Sequence, residues 1–280
     1  MSALQGEVSV RPSCAILGIS RSWYYQADEQ TPSAADTALR ARIEEIVVEF
    51  PGYGYRRVTA TLQREEQIVN HKRVVRIMRE ESLLCQLKRR WVATTDSRHE
   101  LGNYPNRVKG LVVIRLNQVW VADLTYVRLA RGFVYLAAIL DACSRKVLGW
   151  ALSRWIDAAL ALRALEHALA TRSVSAGVIH HSDHGVQYAS VAYVTRLQEH
   201  GIAISMAAIG NPYENAQAES FFKTLKTEEV YLKEYTDFTD AERQLGHFID
   251  AVYNQKRLHS SLTYRPPAEF EESLTLAVGG

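Results

Sequence analysis

The order of the apolar segments after residue 117 constrains the fold of this chain more strongly than any other feature. Three segments rich in β-branched and aromatic residues come first, and two shorter ones follow, each preceded by a helical pattern. The five strand-like segments are "QVWVADLTYVRL", "FVYLAAILDA", "KVLGWAL", "AGVIHHSDHG" and "IAISMAA". Adjacent strands followed by alternating helices and strands predict an α/β domain, a mixed five-stranded sheet with helices on both faces.

The first third of the chain has a helical pattern instead. "DTALRARIEEIVVEF" carries its apolar residues on one helical stripe, and two shorter helices are predicted after it. Asn70 is the expected N-cap of the second short helix. Two short helices joined by a tight turn indicate a helix-turn-helix. Part of another such motif is predicted between Ser13 and Gln26.

Changes in composition divide the chain into five predicted parts. They are an N-terminal segment with the partial helix-turn-helix (1–35), an all-helical helix-turn-helix DNA-binding domain (36–93), a polar linker (94–110), the α/β domain (111–272) and a tail (273–280). The α/β domain is predicted to close with one amphipathic helix, "AERQLGHFIDAVYNQKR".

The basic residues are concentrated in one region. The net charge is only +2, but residues 53–115 hold 14 Lys+Arg against 6 Asp+Glu, a local balance of +8. A solvated helical face is one explanation, and contact with a polyanion is the other. The candidates for DNA phosphate contacts are the basic residues of the two short helices, Arg56, Arg57, Lys72, Arg73 and Arg76.

The cysteines and the apolar runs indicate the compartment. Cys14, Cys85 and Cys143 are far apart and form no C-x-x-C pair, so neither a disulfide framework nor a zinc site is predicted. No apolar signal core and no uninterrupted apolar stretch of 18 residues is present. We therefore expect a cytoplasmic protein that does not bind membranes.

Three carboxylates lie where a specific role is expected. Asp123 is inside the first strand, Asp183 follows the fourth, and Glu219 lies on the helix after the fifth. Individually they are explained by a strand-end bond, a turn and a surface pair. They converge above the sheet if the first and fourth strands are neighbours. Such a cluster of oxygen ligands favours Mg²⁺ or Mn²⁺, and two ions about 3.5–4 Å apart support phosphoryl transfer.

The helix of Glu219 also carries two lysines on the same face. Lys223 and Lys226 follow four and seven residues later, with Asn215 and Phe222 beside them. A surface Glu–Lys pair is the ordinary interpretation and stabilises a helix by only a few tenths of a kcal/mol. The helix alone does not distinguish this interpretation from a functional one.

Three motifs carry a resemblance to a known family. "WVADLTYV", "HSDHGVQY" and "NPYENAQAESFFKTLKTE" resemble the acidic motifs of DDE transposases in the retroviral-integrase superfamily, with 35 residues between the last two acids. Further similar stretches are "LGISRSWYY", "YGYRRVTATL", "VNHKRVVRIMR" and "YNQKRLHSSLTYRPPAEFE". The resemblance covers nearly the whole chain, and it is to the second-frame (OrfB-type) proteins of bacterial insertion sequences.

The resemblance implies an RNase H-like catalytic core and a Mg²⁺- or Mn²⁺-dependent polynucleotidyl transferase that cleaves and joins the ends of its own element. It implies that Asp123, Asp183 and Glu219 bind the metal and that Lys226, with Lys223, contacts DNA. Asn215 and His181 are expected to support the acids. The implied partners are double-stranded DNA of the element ends and target, other copies of the chain on DNA, and the upstream-frame protein. The chain is expected to be associated with the bacterial nucleoid.

Other interpretations remain at this stage. One is a simple nuclease on the same fold. Another is a catalytically silent DNA-binding protein or repressor of element ends, active only as a fusion with the upstream frame. His180 and His181 are alternative metal ligands, although His181 is also expected to orient Asp183 or to pack at the strand end. His184 departs from the family pattern, which has a long polar residue after the second acid.

Overall fold

The computed structural model describes residues 10–18, 20, 34–85, 104–174, 177–207 and 215–278. Two predictions fall partly or largely outside these residues. They are the second half of the partial helix-turn-helix near Ser13 and most of the linker expected at 94–110. The segment 208–214, at the start of the third acidic motif, also lies outside the described residues.

The sheet consists of the five predicted strands. Their bounds are β1 Val119–Arg128, β2 Phe133–Asp141, β3 Val147–Ser153, β4 Ile179–Ser182 and β5 Ala203–Met206. The α-helices within the described ranges are α1 Val10–Leu17, α2 Ala34–Glu49, α3 Tyr55–Arg64, α4 His71–Glu80, α5 Ala158–Thr171, α6 Val191–Glu199, α7 Ala216–Glu228, α8 Phe238–His247 and α9 Pro267–Val278. The fold class predicted from the apolar segments is confirmed.

The strand order determines where the acids lie. The order is β3-β2-β1-β4-β5, in which β1, β2 and β3 form an antiparallel meander and β4 and β5 run parallel to β1. This is the RNase H-like arrangement implied by the resemblance. Because β1 and β4 are parallel neighbours, their carboxyl ends meet at the same edge of the sheet.

Each face of the sheet is covered by its own core. On β1, Val119 and Val121 point into a cluster with side chains of α7 and α8, whereas Trp120 and Ala122 point into a cluster with side chains of α5 and α6. Packing is closest at Gly149 of β3, where a Cβ atom would lie 2.3 Å from the backbone nitrogen of Ala168 in α5. The sheet therefore holds β1 rigidly between two helical layers.

The helical domain has a separate core built from α2, α3 and α4. Its largest fully buried side chains include Ile43, Ile46, Tyr53, Leu62 and Ile77. The predicted N-cap is confirmed, because the Oδ1 atom of Asn70 accepts a hydrogen bond of 2.9 Å from the backbone N–H of Lys72. This pairing ends the turn between α3 and α4 and begins the second helix of the predicted helix-turn-helix.

The C-terminal region differs from the single amphipathic helix expected there. After α8 the chain forms a π-helical segment, Phe248–Tyr253, in which the backbone N–H of Asn254 donates to the carbonyl of Ile249. The Asn254 side chain then makes two hydrogen bonds to the backbone of Val147, of 2.9 and 3.0 Å. Thus the wider turn places the amide against β3. The following α9, whose first residue is Pro267, was not anticipated and runs across the boundary expected at residue 273.

Among the helices that the structure describes, none combines the length and the apolar composition needed to cross a membrane.

Candidate active site

Asp123 and Asp183 follow directly on paired residues of two neighbouring parallel strands. The last register pair of β1 and β4 is Ala122 with Ser182. Asp123 is partly accessible, and its Oδ1 atom accepts a hydrogen bond of 2.7 Å from the backbone N–H of Leu124. Desolvation, reinforced by the negative charge of Asp183, raises the pKa of Asp123 to about 8. The two carboxylates are thus held in an environment that a cation would stabilise.

The loop after β4 is shaped by short polar contacts. The Oδ1 atom of Asp183 accepts a hydrogen bond of 3.1 Å from the backbone N–H of Gly185. His184 donates from Nδ1 to the carbonyl of Ala207 over 2.9 Å, which ties this loop to the end of β5. A Cβ atom at residue 185 would lie 3.0 Å from the Asp183 carboxylate, so the chain passes very close to it. The histidine that departs from the family pattern therefore holds the loop in place.

The third acid comes from the first turns of α7. Asn215, at the start of this helix, is buried, and its Nδ2 atom donates to the carbonyl of Ala122 over 3.0 Å. The helix is thereby fixed to β1 one residue before Asp123. Glu219 lies one turn later and is exposed, and partial desolvation raises its pKa. The charge of Glu219 also raises the pKa of Asp123, but less than that of Asp183 does.

Within the described ranges, no three carboxylate, imidazole or thiol groups lie close enough together to form a ready-made metal site. The three acids are carried by adjoining elements: Asp123 and Asp183 directly follow paired residues of β1 and β4, and Glu219 lies on α7. The donors are nevertheless all hard oxygen atoms, and the Asp123 carboxyl is destabilised as an anion. These are the properties expected of residues that bind Mg²⁺ or Mn²⁺.

The two lysines of α7 occupy different environments. The Nζ atom of Lys226 lies 4.6 Å from the centroid of the Tyr126 ring, a cation–π contact. Burial lowers the pKa of Lys226, and the nearby charge of Asp123 opposes that shift. Lys223, one turn earlier, is exposed. Lys226 is therefore the lysine held close to the first acid.

The basic residues of the helix-turn-helix are also not equivalent. Arg56 and Lys72 are exposed, and the Nη2 atom of Arg76 lies 3.3 Å from a carboxylate oxygen of Asp36. Arg73 is paired with the same carboxylate, to which its Nε donates over 2.7 Å. Arg57 donates from Nε to the carbonyl of Leu258 over 3.1 Å. The guanidinium groups of Arg57 and Arg73 are thus bound within the protein.

The paired histidines of β4 lie in the interior. The Nε2 atom of His180 is hydrogen-bonded to the Tyr193 hydroxyl over 2.8 Å, and burial lowers the pKa of His180 to about 3. The Nδ1 atom of His181 lies 2.9 Å from the Oγ atom of Ser205. Both rings therefore tie β4 to neighbouring elements.

One residue near the acids, Tyr188, was not predicted from the sequence. Tyr188 is buried, and its hydroxyl makes no hydrogen bond to any residue that the structure describes. Desolvation raises its pKa, and the charges of Asp123 and Asp183 add to the shift. Tyr188 is the last residue of the "HSDHGVQY" motif, which could have drawn attention to it, but an aromatic residue there is ordinarily a core residue.

Comparison with known proteins places these elements in a family. Residues 115–212 and 200–267 match integrase core domain families, and residues 34–91 match an HTH-like domain. The chain is 36% identical to the insertion element IS600 31 kDa protein of Shigella sonnei, with 92% of this chain and 97% of that protein covered. It is 34% identical to the transposase for insertion sequence element IS629 of Shigella sonnei, with 100% and 97% covered. The chain belongs to the integrase-core transposases of insertion sequences.

The family resemblance inferred from the three acidic motifs is therefore confirmed. Among solved structures, the chain is similar to the catalytic core domain of BIV integrase, with 15% identity, 59% of this chain and 99% of that chain covered, and a TM-score of 0.44. The integrase core matches contain the positions of all three acids. In this transposase family member, residues 215–267, which include α7 and the π-helical segment, belong to the second core match.

Proposed function

We propose that this chain is a DDE-type DNA transposase that binds the ends of its insertion element and catalyses metal-dependent strand cleavage and strand transfer. One observation carries the proposal: Asp123 and Asp183 follow paired residues of parallel strands inside an integrase core, in surroundings that raise the pKa of Asp123. Two acids placed in this way bind a cation at the edge where such sheets bind ligands.

Each residue has a proposed role. Asp123, Asp183 and Glu219 bind two Mg²⁺ or Mn²⁺ ions, and Asn215 holds the helix of Glu219 against β1. When bound, the ions activate a water or 3′-hydroxyl and stabilise the leaving oxygen. His181 supports the strand end that precedes Asp183. Lys226 and Lys223 hold the phosphates on either side of the reacting one.

The helical domain binds the element end. Arg56, Lys72 and Arg76 are exposed on it, and we propose that they contact the DNA backbone. Arg73 and Arg57 are hydrogen-bonded within the protein. We propose that they contribute to DNA binding by orienting the surface of the helical domain, or by exchanging these partners for DNA phosphates. The partners of the chain are double-stranded DNA, further copies of itself on that DNA, and the upstream-frame protein. The site of action is the bacterial cytoplasm, at the nucleoid.

The test is strand cleavage on labelled duplexes that carry the element end. We expect Mg²⁺-dependent nicks at the 3′ end of the element, and we expect them to disappear with Asp183→Asn while end binding persists. The matched control is Ser182→Ala, one residue earlier in β4. Cleavage by Asp183→Asn at the wild-type rate contradicts the assignment of the site.

A second candidate is a DNA-binding protein of the element ends that is silent on its own. The absence of a ready-made site with three ligands among the described residues favours it, since the third ligand would have to be brought in by DNA or by the upstream-frame protein. Comparing the chain alone with its fusion to the upstream frame distinguishes the two. Cleavage by the fusion only, with equal end binding by both proteins, supports the silent form.

A further inference from the structure

The helical domain is anchored to the catalytic core at the C-terminal end of α7, the helix that carries Glu219. We name residues 252–269, which run from the end of the π-helical segment into the first turn of α9, the connector. Leu258 of the connector is buried in the core cluster of α2, α3 and α4, and Val252 and Tyr264 pack against that cluster. The two domains therefore share a hydrophobic contact in addition to their link through residues 86–103.

At the centre of this contact is a buried ion pair. Arg257 of the connector donates from Nε and Nη2 to the two carboxylate oxygens of Glu228, over 2.8 and 2.7 Å. The two side chains are only 3% and 5% exposed. A two-pronged Arg–carboxylate contact fixes both distance and orientation. Because Glu228 is the last residue of α7, the pair joins the connector to the helix that carries Glu219.

Two side chains of the helical domain, those of Tyr53 and Arg57, hydrogen-bond the backbone of Leu258 in the connector. The Tyr53 hydroxyl accepts a hydrogen bond of 2.7 Å from the backbone N–H of Leu258, and the Nε atom of Arg57 donates to the Leu258 carbonyl over 3.1 Å. Both polar groups of one connector residue are thus satisfied by the helical domain. The guanidinium carbon of Arg57 lies 5.6 Å from the centroid of the Tyr53 ring, a cation–π contact that holds the two side chains against each other.

Exposed ion pairs border the contact, and one glycine makes it tight. Lys256 pairs with Glu49 over 2.8 Å, and both nitrogens of the Arg64 fork reach the carboxylate of Glu269. At Gly52 the loop between α2 and α3 runs against the Glu228 side chain. A Cβ atom there would lie 2.3 Å from the Cγ atom of Glu228, closer than any side chain tolerates.

We infer that the Glu228–Arg257 pair, covered by Gly52 and Tyr53, is a positioning device that holds the helical domain at one place relative to the catalytic acids. Helix α7 transmits the position: Glu219 lies about 13 Å along its axis from Glu228. The inference rests on the proposed function, since the DNA held by the helical domain then reaches the acids at one particular phosphate. Arg57 accordingly acts on the connector, and its contribution to DNA binding is through this placement.

The test compares two alanine substitutions in the same loop of the full chain. Gly52→Ala drives a methyl group into Glu228, whereas Gly54→Ala adds one where nothing lies within 4 Å, at a φ of −83° that alanine adopts freely. By calorimetry we expect one cooperative transition for the wild type and for Gly54→Ala. We expect two for Gly52→Ala, because the helical domain then unfolds separately.

The second measurement maps strand cleavage on an element-end duplex, base by base. For Gly52→Ala we expect end binding within about threefold of wild type. Cleavage at the wild-type phosphate should fall by up to about 100-fold and spread to neighbouring phosphates, because misplacement by about 1 Å has effects of that size. Gly54→Ala should cut as the wild type does.

The outcomes separate this inference from the proposed function. If Gly52→Ala cuts the same phosphate at the same rate as Gly54→Ala, the junction does not position the DNA although the transposase activity stands. If the wild type cuts no element end, the proposed function fails. Independently of cleavage, a single calorimetric transition for Gly52→Ala would show that this contact does not couple the unfolding of the two domains, and would overturn the inference. Should Gly52→Ala not fold, Tyr53→Phe replaces it. That variant removes only the hydroxyl that accepts the Leu258 N–H, and the same two results decide the inference.

Discussion

At the scale of single residues, the decisive property is the electrostatic position of Asp123. Its carboxyl is desolvated and lies beside Asp183, and these influences outweigh the opposing effects of the Leu124 N–H and the Lys226 ammonium. In the metal-free protein the folded state therefore keeps a proton on Asp123 that the unfolded chain releases. Under the proposed function a divalent cation replaces that proton, so metal binding, protonation and stability would be linked at this residue.

This linkage predicts that Asp123→Asn stabilises the metal-free protein at high pH although it abolishes cleavage. The folded-state pKa of about 8 lies above the ordinary value of 3.8, so the free energy of unfolding of the wild type falls as pH rises between these values. In EDTA at pH 8 we expect Asp123→Asn to be more stable than the wild type, on the order of 5 kcal/mol, with no such gain near pH 4. Urea unfolding across this range measures it. Cleavage should be abolished, and parallel pH profiles of the two proteins would contradict the shift.

Lys226 is predicted to act as a point charge on the DNA backbone. Its ammonium is held against Tyr126 near the first acid, and we expect it to reach a phosphate beside the proposed metal site. We expect Lys226→Ala to weaken complexes with element-end and random duplexes about equally, and to reduce the salt slope of binding by about one. Lys226→Arg keeps the charge and the ring contact, so it should restore most of the binding. An effect confined to the element-end duplex would instead indicate base recognition.

At the scale of elements, the question is how α7 is held against β1. The helix meets the strand through the side chain of its N-cap residue, Asn215, and through buried Phe221 and Leu225 further along. The apolar contacts determine which face of the helix is inward, but they are not directional. The amide fixes the start of the helix beside Ala122, and thereby sets the height of Glu219 above Asp123.

Asn215→Ala is therefore expected to impair catalysis more than folding. It leaves the buried Ala122 carbonyl without its donor, which should cost about 1–3 kcal/mol of stability. Cleavage should fall by about tenfold or more, because Glu219 is no longer held in position. Hydrogen exchange should show faster opening of the first turn of α7. Ser220→Ala, an exposed change on the same helix, is the control, and equal cleavage by both variants would remove Asn215 from a positioning role.

At the scale of the whole molecule, the connector couples the orientation of the helical domain to that of the catalytic core. A buried ion pair contributes little net stability when it is intact, but removing one partner leaves a desolvated charge. The bond between Glu228 and Arg257 is of this kind. It determines the orientation of the two domains more than it stabilises either of them.

A double-mutant cycle tests this description. Glu228→Gln alone leaves Arg257 buried without a counter-charge and should lower the free energy of unfolding by about 3–5 kcal/mol. Replacing both residues, Glu228→Gln together with Arg257→Met, should cost less than the sum of the single changes. Chemical denaturation of the four proteins gives the coupling. Strictly additive losses would show that the two side chains are not a coupled pair, and the contact would then need another explanation.

Much of the architecture was predictable from the sequence, because the signals are local. Strand and helix identity follow from short apolar periods, and the Asn70 cap depends only on its own turn. The π-helical segment and α9 were missed for the same reason. The turn at Phe248–Tyr253 is defined by a contact between Asn254 and Val147, 107 residues apart, which no local pattern indicates.

By itself, then, the sequence determined the strand and helix order, the family, and the three acids as candidates, since each is written in a contiguous motif. The tertiary structure decided which strands are neighbours and so placed Asp123 beside Asp183. It also decided that the guanidinium groups of Arg57 and Arg73 hydrogen-bond to groups within the protein. In the same way it paired Glu228 with Arg257 and packed Gly52 against the Glu228 side chain. Such pairings join residues far apart in the chain. They are selected by burial, which requires a charged group to find its partner wherever the packed elements bring one.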